Sequence, residues 1–166
     1  MNIKYRKLLP RDNTRMAELI RYNLKANGLD IPGTVYFDEI IYHLTDFYDE
    51  KPECRAYFVL VDESDEVVGG IGLAEFPDID SCAELQKLYL ADEVKGHGLG
   101  YFLIDLLEKE ALRMGYDKMY LETHTNLQTA IHVYEKAGYE EIPRPEFVMH
   151  GTMNKFYLKS LKERVQ

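Results

Sequence analysis

Lys95-Gly96-His97-Gly98-Leu99-Gly100 sets three glycines at alternate positions directly ahead of an apolar run with helical spacing. Glycines let successive backbone N–H groups turn toward one point with no Cβ in the way. A helix start adds amides that have no intrahelical partner, and the positive end of the helix dipole. The chemistry open to such a turn is the gripping of an anion, a diphosphate above all, with Lys95 as a cation at the rim. A plain tight turn into a helix accounts for the same glycines, and on them alone the two readings stand level.

Two other phosphate loops do not fit. A P-loop needs a glycine followed by Lys-Ser or Lys-Thr, and no glycine here has that pair after it. The dinucleotide fingerprint G-x-G-x-x-G places its third glycine on Tyr101 when counted from Gly96, and on Leu103 when counted from Gly98. The five histidines (His43, His97, His124, His132 and His150) and the two cysteines (Cys54 and Cys82) show no zinc-site spacing, and no metal is assigned. Two cysteines also make no disulfide framework.

The elements that must position this turn alternate along the chain. Residues 2–9 read as a strand with Ile3, Tyr5 and Lys7 on one face, ended by Pro10. Asp12 or Thr14 caps a helix to Ala26, with Met16, Leu19, Ile20 and Leu24 on its apolar side. Thr34 opens a second helix to about Tyr48, carrying Tyr36, Phe37, Ile40, Ile41, Leu44 and Phe47. Tyr57 to Val61 and Val67 to Ala74 form a hairpin, and Gly69, Gly70 and Gly72 in its return strand signal a bulge or a close backbone approach. A strand follows from Cys82 to Leu90. A strong helix runs from Leu99 to Met114, ended by Gly115. Lys118 to Thr123 is a strand, Leu127 to Ala137 a helix ended by Gly138, and Tyr139 to Ile142 and Met153 to Leu158 are two last strands. The order β-α-α-β-β-β-α-β-α-β-β describes an α/β (α+β) chain, a mixed sheet with helices on both faces.

Bulk properties bound the function. The 166 residues suit one domain, 1–166, and the 46% hydrophobic fraction suits an ordinary core. No apolar run reaches the length of a membrane span, and the charged N-terminus has no apolar signal core, so the expected location is cytoplasmic. A net charge of -9 disfavours a nucleic-acid partner and suits a cationic substrate.

The turn and its surroundings resemble the GNAT superfamily of N-acetyltransferases. That family's central motif, Q/R-x-x-G-x-G/A, lies between its fourth strand and the next helix. Lys95 to Gly100 fits it, with lysine in place of Arg or Gln, which keeps the charge and loses the guanidinium fork. Leu121-Glu122-Thr123, Ala130-Ile131 and Tyr134-Glu135-Lys136-Ala137-Gly138-Tyr139 resemble the family's fifth strand and fourth helix, with its Y-E-K-x-G-F/Y ending. The match is good over about 83–142. One departure is Leu127, which stands where the family usually has an asparagine; Asn126 is one residue earlier, as a cofactor contact or a helix cap.

The resemblance implies a mostly antiparallel sheet with a splay between strands four and five, and acetyl-CoA as cosubstrate. The pantetheine arm would lie in the splay along Leu88, Tyr89 and Leu90, like an added strand. The pyrophosphate would rest on the amides of Lys95, Gly96, His97, Gly98, Leu99, Gly100 and Tyr101. Glu84, fourteen residues before Gly98, corresponds to the glutamate base of the histone-acetylating branch; the other reading is a solvated strand-end carboxylate. Glu122 and then Glu75 are the alternative bases. Tyr134 is the candidate acid for the departing thiolate, the other reading being an aromatic packed on the sheet. The acceptor pocket would draw on Ile31, Pro32, Gly33, Thr34, Tyr36 and Phe37, closed over by the segment that carries His150. The expected partners are acetyl-CoA and an amine, with no nucleic acid and no membrane; a homodimer stays open. The alternatives are a non-catalytic acyl-CoA sensor of the same fold and a nucleotide-dependent enzyme using the same turn.

Overall fold

The fold is described from a computed structural model covering residues 2–148 and 151–161. The elements are β1 (Lys4–Lys7), α1 (Asn13–Ala26), α2 (Leu44–Glu50), β2 (Ala56–Val61), β3 (Val67–Glu75), β4 (Cys82–Leu90), α3 (Leu99–Arg113), β5 (Lys118–Thr123), α4 (Gln128–Lys136), β6 (Glu140–Ile142) and β7 (Lys155–Ser160). They build a seven-stranded sheet in the order β1-β2-β3-β4-β5-β7-β6. Every neighbouring pair is antiparallel except β4 and β5. The mixed α/β sheet with helices on both faces is therefore the fold. All of β2, and β3 from Val67 to Ala74, are buried, as strands covered on both faces must be. Both α1 and α3 pack on β3 and β4.

The second expected helix is not continuous. Val35–Phe37 and Glu39–Tyr42 are separate 3-10 turns, and only Leu44–Glu50 is α-helical. The cause is side-chain competition for backbone amides. Thr34 Oγ1 accepts from Tyr36 N at 3.3 Å, and Asp38 Oδ1 accepts from Ile40 N at 3.0 Å while Asp38 itself is extended. Each side chain starts a new turn where a helix would have run on. The last strand also lies two residues later than its apolar pattern suggests, at Lys155–Ser160.

The glycines of β3 answer to two tyrosines. A Cβ on Gly70 would stand 2.6 Å from the Tyr57 ring, and one on Gly72 would meet Tyr57 at 2.6 Å and the Tyr48 hydroxyl at 2.7 Å. These rings pack against the strand, and glycine is what leaves them room.

Behind the sheet, Glu108 of α3 is 1% exposed and binds Lys159 Nζ at 3.0 Å through both oxygens. Tyr139 Oη donates to the same carboxylate at 2.9 Å, and Lys159 also donates to Ala137 O at 2.6 Å. This network fastens α3, the end of α4 and β7 to one another.

Candidate active site

β4 and β5 pair only at Cys82–Lys118, Ala83–Met119 and Glu84–Tyr120. Beyond Glu84 they diverge and leave a slot between Gln86–Leu90 and Leu121–Thr123. A bulge on β4 sits in the slot wall. Gly70 pairs with Tyr89 and Gly72 with Gln86, so Lys87 and Leu88 together oppose Ile71. Lys87 takes φ of 51°, and its carbonyl accepts from Tyr57 Oη at 2.8 Å. Ala91 N donates to Val68 O, and the Tyr89 carbonyl lies against Gly69, so both face β3. By alternation, the Leu88 and Leu90 amides face the slot. The Leu90 carbonyl is already engaged, accepting from Asn23 Nδ2 of α1 at 3.1 Å.

The glycine turn closes one end of the slot. Gly96 and Gly98 have φ of 81° and 76°, the left-handed region in which L side chains are strained. No atom lies within 4 Å of where either Cβ would be, so the surface above them is open. The first bond of α3 is Phe102 N to Gly98 O, and no side chain caps the helix. The amides of Leu99, Gly100 and Tyr101 precede that bond, as an anion cradle requires. His97 is exposed. Lys95 turns out to be tied: its Nζ donates to Asp92 Oδ1 at 2.8 Å and Asn23 Oδ1 at 3.1 Å. Asp92 in turn accepts from the Tyr22 hydroxyl.

At the other end of the slot, Glu84 and its parallel partner Tyr120 share a face of the sheet. Burial pushes the Glu84 carboxyl above its ordinary range, and the charge of Glu122 adds to this, while a hydrogen bond from Gln86 works against it. Gln86 Nε2 donates to Glu84 Oε1 at 2.8 Å, and Gln86 Oε1 accepts from Tyr48 Oη at 2.6 Å. The carboxylate, which can only accept, thereby fixes which way the amide points. Glu122 accepts from Tyr120 Oη at 2.9 Å. Glu75 is elsewhere occupied, accepting from Arg55 Nε at 2.8 Å and Cys54 Sγ at 3.3 Å. Burial opposes its charge, but those two donors hold its pKa below the usual value. That engagement makes it a structural carboxylate.

Tyr134 of α4 is 6% exposed, edge-on to Tyr139. Burial raises its pKa, and Tyr89 lies close enough to add to the effect. Among the described residues its hydroxyl has no hydrogen-bond partner, yet no buried side-chain polar atom is sealed without one. The hydroxyl therefore keeps some exposure, near Tyr89.

The two connections expected to frame the acceptor meet. Thr152 Oγ1 donates to Pro32 O at 3.0 Å, against Gly33. Arg21 lies 3.9 Å over the Tyr36 ring and bonds its carbonyl, so Tyr36 is anchored to α1, while Phe37 is 63% exposed. Asn126 does not cap α4; its Nδ2 donates to Asn27 O at 3.0 Å, at the end of α1. His150 lies outside the described residues. Among those described, no group of three or more His, Cys, Asp or Glu is placed to hold a metal.

Sequence reading missed Asn23, Tyr48, Gln86 and Lys87. Each acts through contacts 30 or more residues away or through a backbone shape that no local signal announces.

A slot thus opens between the parallel strands β4 and β5, with a glycine turn at one end and a carboxylate at the other. The chain belongs to the acetyltransferase (GNAT) family, whose model matches residues 25–139. It is 35% identical over 139 residues to the uncharacterized N-acetyltransferase YjgM of Escherichia coli, covering 82% of this chain and 81% of that one. It is 25% identical to the uncharacterized N-acetyltransferase C1271.07c of Schizosaccharomyces pombe, covering 80% and 78%. A GNAT acetyltransferase structure from Staphylococcus aureus superposes with a TM-score of 0.82 at 18% identity, over 96% of this chain and 99% of that one. The PaiA N-acetyltransferase of Thermoplasma acidophilum, solved with coenzyme A, gives 0.74 at 22% identity, over 96% and 99%.

Proposed function

We propose that this protein transfers the acetyl group of acetyl-CoA to a primary amine by direct attack within a ternary complex. The observation that carries this reading is the divergence of β4 from β5 immediately after Glu84. It leaves a slot with uncapped helix amides at one end and a half-buried carboxylate at the other. The glycine turn from Gly96 to Tyr101 receives the pyrophosphate, and the slot-facing amides of Leu88 and Leu90 receive the pantetheine arm. Lys95 acts at second hand, holding Asp92 and Asn23 in place. Asn126 braces the mouth of the slot.

An aliphatic amine has a pKa of about 10.4 and must lose a proton to attack. Glu84 takes that proton, and burial suits it to the task by raising its own affinity for one. The amine nitrogen bonds to the acetyl carbon, the carbon–sulfur bond breaks, and Tyr134 supplies the proton that makes the leaving sulfur a thiol. A slot-facing amide of β4 steadies the carbonyl oxygen meanwhile.

The test joins binding to turnover. At 100 times its Kd, acetyl-CoA is expected to add about 2.7 kcal/mol of stability, read as a rise in Tm. No rise at saturation defeats the cofactor assignment. Thiol release on adding amines distinguishes the enzyme; binding without release across a broad amine panel leaves a sensor.

A further inference from the structure

Lys87 is out of place on two counts. It occupies a left-handed backbone position, φ 51°, at a bulge where glycine is the residue without strain. Its ammonium group is half-buried, and burial lowers its pKa against the pull of Glu84 and Asp38. Neither acid comes close enough to form an ion pair or hydrogen bond with it: Glu84 is taken by Gln86, and Asp38 by Ile40 N. Among the described residues Lys87 Nζ has no partner, yet no buried side-chain polar atom is sealed in that condition, so Nζ keeps contact with solvent. Tyr57 holds the bulge from below through the Lys87 carbonyl. A strained backbone and a desolvated cation persist together where a bound group repays them.

On the proposed acetyl transfer, which this inference presupposes, we infer that the acceptor is an amino acid or a similar amine whose carboxylate lies within a few carbons of the amine, and that Lys87 is the residue that binds that carboxylate. The spacing supports it. Glu84 and Lys87 are three residues apart on one strand and feel each other's charge. A zwitterion presents the opposite charges in the matching order, amine to Glu84 and carboxylate to Lys87. A polyamine would set a second ammonium against Lys87, at a cost in like-charge repulsion. Asp38 at the exposed rim leaves room for a further cation, as on a basic side chain.

The experiment compares each of the twenty amino acids with its decarboxylated amine in an acetyl-CoA thiol-release assay, and by calorimetric binding to the CoA-loaded protein. For at least one amino acid, kcat/KM is expected to exceed that of its amine tenfold or more. Lys87→Met should collapse that ratio at least tenfold, chiefly through the acceptor KM, and Lys87→Arg should restore part of it. Lys87→Gly suits the left-handed backbone and keeps the fold; it should behave as Lys87→Met does. Amines that equal or surpass their amino acids, a ratio unmoved by Lys87→Gly, or no amino acid reacting or binding would each overturn the inference. If acetyl-CoA still binds and any amine is acetylated in those cases, acetyl transfer stands without it.

Discussion

Gln86 Nε2 donates to Glu84 Oε1 at 2.8 Å, and on its other side Gln86 Oε1 accepts from the Tyr48 hydroxyl at 2.6 Å. The bond stabilises the ionised carboxylate against a burial that favours the acid. Losing it raises the Glu84 pKa further. The base works only when ionised, so activity falls as pH drops through that pKa. Gln86→Leu should therefore move the acid limb of the kcat/KM profile to higher pH. Glu84→Gln should remove the limb and lower kcat about 100-fold or more. If Glu122→Gln removes it instead, the base is Glu122.

Tyr134→Phe deletes a hydroxyl that holds no protein partner, so stability should change by less than about 1 kcal/mol in a denaturant melt. As the acid for the leaving sulfur, the same hydroxyl should matter to rate. A fall in kcat of about 100-fold, with a smaller change in the acetyl-CoA KM, is the expected signature in steady-state kinetics. An unaltered kcat removes Tyr134 from the chemistry.

Gly98→Ala places a Cβ in open space at φ 76°. The cost is backbone strain of about 1–2 kcal/mol, with no clash. The methyl group would also stand beside the amides proposed to receive the pyrophosphate. Acetyl-CoA KM should rise more than tenfold while kcat at saturation changes less. Lys95→Ala severs an exposed pair worth about 0–1 kcal/mol, and its effect on the same KM should be small and fade with salt.

Lys159→Met takes away the cation that both oxygens of the buried Glu108 bind. Breaking such a pair from one side costs about 3–5 kcal/mol, a large share of a typical domain's stability. Tyr139→Phe, which removes one donor to the same carboxylate, should cost about 1.5–3 kcal/mol. Urea unfolding of the two variants gives the order directly.

The glycine turn, the strands β4 and β5 and the helices α3 and α4 are legible in sequence because their signals are local. Glycines at Gly98, Gly115 and Gly138 and an apolar stripe from Phe102 to Ala111 need no distant partner to be read. Thr34 to Tyr48 misleads for the opposite reason. Its apolar residues keep helical spacing, but Thr34 and Asp38 turn their oxygens onto nearby amides and restart the chain twice. Lys87 is invisible, since nothing about a lysine announces a left-handed backbone. The slot itself was expected only through the family resemblance. Lys95 reads in sequence as a free cation, although it is held from both near and far, by Asp92 three residues before it and by Asn23 72 residues away.

The slot is fastened differently at its two ends. At the Glu84 end the seam is backbone, three strand pairs plus Asp117 N and Lys118 N donating to Ser81 O. At the mouth, the tip of α1 and the loop after it reach across with two exposed side-chain bonds, Asn126 to Asn27 and Thr152 to Pro32. Each of those contributes about 0.5–1.5 kcal/mol net, far less than a seam of strand. The sheet is built like a clothes-peg: sprung at one end, lightly latched at the other, and loaded from the latch.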